Sequence, residues 1–129
     1  MTTIGSRLGE SEPDAAEPLL SVRVVPRPRV GRIELDGELD ASTAHLLTDA
    51  VRQVAQSEAE CVELCLHDLR FLAARGLSTL LAAREFFASL GRPVTVTAAS
   101  PIARRVLRLT DTDEVFGLAE VDAVATPGR

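Results

Sequence analysis

The chain contains no lysine, tyrosine or tryptophan: all 14 of its basic residues are arginine, and four phenylalanines are its only aromatics. Without lysine it can form neither a Walker-type phosphate clamp nor a Schiff base, and no GxGxxG, GxxxxGKS or GxSxG run occurs. The arginines face 19 acidic residues, for a net charge of −5. The basic footprint and the stacking aromatics of a nucleic-acid binder are therefore both missing. No uncharged apolar run approaches the ~18 residues of a bilayer-spanning helix. The first 18 residues lack the apolar stretch of a secretory signal, so a cytoplasmic protein is expected. The only cysteines are Cys61 and Cys65. On a strand they would lie about 13 Å apart, too far for the roughly 7 Å a disulfide allows. Together with His45 and His67 they show no metal-ligand spacing, and neither a metal nor a cofactor is expected.

What is present fits one folded unit. A chain of 129 residues has room for a single core, and 46% hydrophobic with 26% charged residues is ordinary globular usage. Residues 1–18, rich in Ser, Glu and Pro, read as a flexible tail, 19–121 as the domain and 122–129 as a second tail. Leu20, Val22 and Val24 alternate with Ser21, Arg23 and Val25 as in a strand, and Pro26–Pro28 forces a turn. A second strand, Val30 to Asp36, puts Ile33 and Leu35 on one face and Arg32 and Glu34 on the other, and Gly37 ends it.

A helix follows, capped by Asp40 or Ser42, with Ala44, Leu47, Val51 and Val54 as its stripe beside Leu46 and Ala50. Val62, Leu64 and Leu66 form the next strand. A second helix runs from near Gly76 to Gly91, with Leu80, Ala83, Phe87 and Leu90 inward and a second apolar strip of Leu77, Leu81 and Ala88. Pro93–Ala98 is a strand, and Ser100-Pro101 opens a third helix to about Thr110, with Ile102, Val106 and Leu109 opposite Arg104, Arg105 and Arg108. Val115–Val121 is a candidate edge strand. The implied fold is α/β: a single domain with a mixed, mostly parallel sheet and helices packed chiefly on one face.

Conventional catalytic groups are scarce. Asp36, Glu38 and Asp40 cluster at one turn, either as a solvated turn or as a carboxylate set for acid–base work. The arginines of the third helix are either a solvated face or a contact for an acidic partner.

Three segments carry a resemblance: IELDGELDASTAHLL (33–47), LCLHDLRFLAARGLSTLLAA (64–83) and the stretch from GRPVTVTAASP to VFGL (91–118). In this order they resemble the STAS domain of bacterial anti-sigma factor antagonists over about residues 19–121. The resemblance implies a STAS-like fold and a binding switch rather than an enzyme. Its members engage an anti-sigma factor, a serine kinase of the histidine-kinase ATPase type, and so release a sigma factor. That kinase phosphorylates a serine in an Asp-Ser-Ser-Gly turn. Here Gly76 matches the glycine, while Ala73, Ala74 and Arg75 stand on the aspartate, the accepting serine and the second serine.

No phosphoacceptor remains at Ala74, so regulation by phosphorylation of the usual serine is not expected. Cys65 also replaces the strand's usual aspartate. The resemblance places partner binding on Asp40, Ala41 and Ser42 and on Ala73, Ala74, Arg75, Gly76 and Leu77. Arg75 puts a cation at a helix N-terminus, where either an acidic group compensates it or it extends into water. A STAS subunit regulating a transporter ATPase, or a scaffold or oligomerisation domain, is the alternative function. Monomer and homodimer are both left open, as is redox sensing by Cys61 or Cys65.

Overall fold

The computed structural model describes residues 2–4 and 19–118. Five strands form one sheet in the order β1 (Thr2–Ile4), β2 (Leu20–Arg27), β3 (Val30–Leu39), β4 (Cys61–Leu72) and β5 (Val94–Ala99). Helices α1 (Ala44–Ala55), α2 (Ala74–Ser89) and α3 (Pro101–Leu109) follow β3, β4 and β5. The sheet is mixed: β1–β2 and β2–β3 pair antiparallel, β3–β4 and β4–β5 parallel. Parallel pairs do not predominate, because β1 adds an antiparallel pair from within the segment read as a tail. Thr2–Ile4 pairs with Val22–Val24, and a three-residue strand is too short to show a period. Residues 5–18 of that tail, the domain end at 121 and the tail 122–129 lie outside the described residues.

The expected alternation places one sheet face in the core. Leu20, Val22, Ile33, Leu35, Leu64 and Val96 are essentially inaccessible and join Leu47, Val54, Leu80, Phe87, Ala103 and Leu107 of the helices in one cluster. The other face carries ion pairs. Arg32 bonds Glu34 at 2.9 Å and Glu63 at 3.3 Å, while Arg23 and Arg27 reach the same two carboxylates. Both cysteines are free and half-buried.

Several boundaries move, each for a local reason. β3 continues past Gly37 to Leu39, because Gly37 (φ +125°) lets the backbone of Leu19 approach where a Cβ would collide, and Glu38 N–H donates to the Leu19 carbonyl at 2.7 Å. β4 extends six residues beyond Leu66. The registers Glu34↔Cys65, Asp36↔Asp68, Gly37↔Leu69 and Glu38↔Phe71 give β4 one extra residue twice. These bulges stretch its inward spacing to Leu66, Leu69 and Leu72, so a strict period of two loses the strand at Leu66.

Ser100 caps α3 as expected, accepting from Ala103 N–H at 3.2 Å, while its own N–H is held by the Leu66 carbonyl. That anchor sets the helix phase so that Ala103 and Leu107 are buried, whereas Ile102 and Leu109 are exposed, contrary to the expected stripe. In α2, Gly76 and Leu77 are buried and Leu90 is exposed, because the chain turns away through Gly91 (φ +74°). Val115–Leu118 is a turn rather than a strand. Its Phe116 carbonyl accepts from Val96 N–H, and Phe116 and Leu118 are fully buried. Residues 119–121 of the expected strand are outside the described residues.

Gly37→Ala should destabilise the domain by about 1–3 kcal/mol from backbone strain alone. Urea unfolding that leaves the midpoint unchanged would remove Gly37 from this role.

Candidate functional site

The two sequence segments singled out for partner binding meet at one end of the sheet. β3 and β4 are adjacent and parallel, with Leu39 opposite Leu72, so the turns that follow both strands emerge side by side. Leu39 joins them: its carbonyl accepts from Ala73 N–H at 3.0 Å, and its side chain is fully buried. Gly76 packs onto the same residue. A Cβ there would lie 2.5 Å from the Leu39 carbonyl oxygen and 2.8 Å from its Cγ. Gly76 and Leu77 therefore sit beneath the surface and fix the start of α2, while Ala74 and Arg75 are exposed above them and Ala73 is half-buried.

The Asp40 turn is built by its own side chains. One Asp40 carboxylate oxygen accepts from Ser42 N–H at 2.9 Å, Ser42 O–H at 2.7 Å and Thr43 N–H at 3.2 Å. Thr43, which is buried, accepts from Asp40 N–H at 3.0 Å and donates its hydroxyl to the Glu38 carbonyl at 2.8 Å. Asp40 and Thr43 thus grip each other across the turn, and α1 starts after Thr43, with Ala41 and Ser42 exposed on the bend. The Ser42 hydroxyl holds the Asp40 carboxyl below the usual carboxylate range. The Ser42 and Thr43 N–H groups add to this against a partial loss of water.

Thr43 and Leu39 were not among the expected site residues. The Asp40–Thr43 spacing of three, with a short acceptor at each end, was a readable sign of Thr43. Leu39 carries no such sign, since its sequence context is that of any core leucine.

The start of α2 is built differently. Ala73, at the N-cap, offers no side-chain acceptor, no acidic residue occupies the first turn, and Arg75 makes no ion pair among the described residues. The site is thus a neutral Ala73–Ala74 step with a cation on one side and a hydrogen-bonded carboxylate turn on the other. The acidic trio does not converge: Asp36 pairs with Arg70 at 3.1 Å, and Asp40 is engaged within its turn. Among the described residues no three His, Cys, Asp or Glu side chains are placed to hold a metal ion. His67 contacts Asp68 at 3.0 Å, and His45 is exposed on α1. No helix among the described residues is long and apolar enough to cross a membrane.

A family model described as Mlab, STAS domain, matches residues 22–120. The chain belongs to the STAS-domain family. Solved relatives share this STAS fold. An anti-sigma factor antagonist from Mycobacterium paratuberculosis is 26% identical, with a TM-score of 0.69 over 81% of this chain and 92% of that one. The anti-sigma factor antagonist SpoIIAA in its unphosphorylated form is 21% identical, with a TM-score of 0.58 over 82% and 96% of the two chains. The Bacillus cell fate determinant SpoIIAA in its phosphorylated form is 22% identical, with a TM-score of 0.54 over 81% and 98%. At these identities the two SpoIIAA structures speak for the STAS fold alone. No curated protein sequence matches the chain.

Since the folded-state pKa of Asp40 is lowered, its stabilising contribution is complete above the ordinary aspartate value of about 4 and is lost as pH falls through the lowered value. Asp40→Asn should therefore be less stable than the parent at pH 7, and the gap should close on acidification below about pH 4. Thermal midpoints of both proteins between pH 7 and pH 2 check this; a gap constant across that range would contradict it.

Proposed function

We propose that this STAS domain is an anti-sigma factor antagonist that binds an anti-sigma factor of the serine-kinase type and thereby releases a sigma factor. The observation that carries this reading is the junction at Leu39, which joins the Asp40–Ser42 turn to the exposed Ala74–Arg75 step in one surface. The antagonist from Mycobacterium paratuberculosis, with the same fold over most of both chains, supports it. Asp40, Ala41, Ser42, Ala73, Ala74 and Arg75 form the contact, while Gly76 and Leu77 support it from below. The role is one of binding in the cytoplasm, without catalysis.

We further propose that the surface is fixed in its binding-competent form. A phosphoserine adds about −1.5 to −2 charges, enough to unseat a partner docked over it. Ala74 has no hydroxyl to receive a phosphate, and neither do Ala73, Arg75 or Gly76. Ser78, the nearest hydroxyl along the chain, lies inside α2, where its backbone is committed to the helix. A second reading is a regulatory subunit of a transporter ATPase, which is equally compatible with membership of the STAS-domain family. It uses the same surface on a different partner.

Calorimetry with the source organism's purified serine-kinase anti-sigma factors, and with its transporter ATPase subunits, separates the two readings. Incubation with the bound kinase and ATP should add no phosphate by intact mass; stoichiometric modification would contradict the fixed state. Ala74→Glu should leave the thermal midpoint nearly unchanged, because helix N-terminal amides tolerate an anion. It should weaken binding by about a hundredfold or more, since its carboxylate is desolvated against a partner shaped for a neutral side chain. The double variant Ala74→Glu, Arg75→Ser controls for masking by Arg75. If both variants bind as tightly as the parent, this surface is not the contact.

A further inference from the structure

The two helices that start at this surface leave a groove between them. Thr48, Val51 and Arg52 of α1 and Thr79, Ala82 and Phe86 of α2 line an open space of about 230 Å³. Its lining is mainly apolar, and Phe86 is 43% exposed although its ring meets Phe87 edge to face at 5.3 Å. An aromatic ring left half in water at the side of a groove is a natural anchor point for another chain.

Arg75 belongs to the same face of α2. It precedes Thr79 by four residues, Ala82 by seven and Phe86 by eleven, which is helical spacing along one side, and the Thr79 hydroxyl donates to the Arg75 carbonyl at 2.9 Å. A rise of 1.5 Å per residue puts Arg75 and Phe86 about 16 Å apart along the helix. The Arg75 side chain is exposed, makes no ion pair among the described residues, and stands in a first turn where the helix dipole disfavours a cation. The α2 face that walls the groove thus carries Phe86 and, about three turns away and just beyond the lining residues, a cation whose own protein supplies no anion among the described residues, whereas the lining Arg52 has Asp49 at 3.9 Å.

We infer that the groove between α1 and α2 receives an amphipathic helix of the partner, with its apolar stripe over Phe86, Ala82 and Val51 and a carboxylate on Arg75. This rests on the binding role proposed above and names the chemistry that the partner must bring. Charge complementarity selects an acidic segment over a basic or neutral one, because only a carboxylate relieves the Arg75 cation at the head of α2. The straight run from Arg75 to Phe86 selects a helix, whose side chains recur at matching intervals along a groove.

The test measures binding of the source organism's purified serine-kinase anti-sigma factors to the parent, Ala74→Glu, Arg75→Ser and Ala82→Arg proteins at low and high salt. Ala82 is exposed on α2, so arginine fits the free helix but obstructs a docked one. Parent binding should weaken with salt. Arg75→Ser should bind about tenfold more weakly at low salt and lose most of the salt dependence, with a thermal midpoint no lower than the parent's. Ala82→Arg should bind at least tenfold more weakly while unfolding at the parent temperature. If Ala74→Glu abolishes binding but Arg75→Ser and Ala82→Arg bind like the parent, the binding surface stands and the groove inference is overturned. If no anti-sigma factor binds the parent, the binding role fails and the inference fails with it. A homodimer in light scattering that Ala82→Arg splits would assign the groove to a second copy and also overturn it.

Discussion

The contact between Leu39 and the start of α2 is the constraint on which the rest of this structure depends. A backbone carbonyl at the end of β3 accepts the Ala73 N–H at 3.0 Å, and Gly76 lies so close to the same residue that no side chain fits between them. Because Leu39 is itself fully buried, neither partner can move without opening the core. Two loops from different strands are thereby held in a fixed relation at the C-terminal end of a parallel pair. Without Gly76, α2 would stand off from β3 and the two turns would no longer form one surface.

The two halves of that surface are stabilised in opposite ways. The Asp40 turn satisfies itself: its carboxylate, two hydroxyls and three backbone N–H groups form a closed set of hydrogen bonds, and α1 begins from it. The start of α2 is left unsatisfied, with alanine at the cap and arginine in the first turn, where an anion is favoured. A cation in that position costs the free protein stability and gains from an acidic neighbour. The surface thus combines a self-satisfied turn with an uncompensated one, and its neighbouring carboxylates do not converge. In the described structure Asp36 is instead tied to Arg70.

The alternation of Leu20, Val22 and Val24 and of Ile33 and Leu35, the α1 stripe and the Ser100-Pro101 start of α3 were legible because each depends on a local period or cap. The signals that failed were those that tertiary contacts override. Gly37 reads as a stop, yet serves as the point where β3 passes the Leu19 backbone. Two bulges turn the inward positions of β4 from a period of two into a period of three. Leu77, which the resemblance counts among the partner-binding residues, is buried, because the Leu39–Gly76 contact pulls the first turn of α2 inward. At the site, the resemblance indicated Asp40 and Ala73–Gly76, and the structure places them together. What holds them together could not be read from one sequence, since Leu39 has no distinguishing neighbour pattern and Thr43 acts through a backbone carbonyl that only the folded turn supplies.

If the turns after β3 and β4 act as a single protein-binding surface, a partner must cover both at once. Backbone hydrogen exchange, followed with and without a bound serine-kinase anti-sigma factor from the source organism, tests this most directly. The amides of residues 40–43 and 74–76 should slow together in the complex, while that of Arg29, in the turn at the opposite end of β3, should exchange at the rate of the free protein. Protection confined to only one of the two turns, or found at the opposite end of the sheet instead, would contradict a single surface.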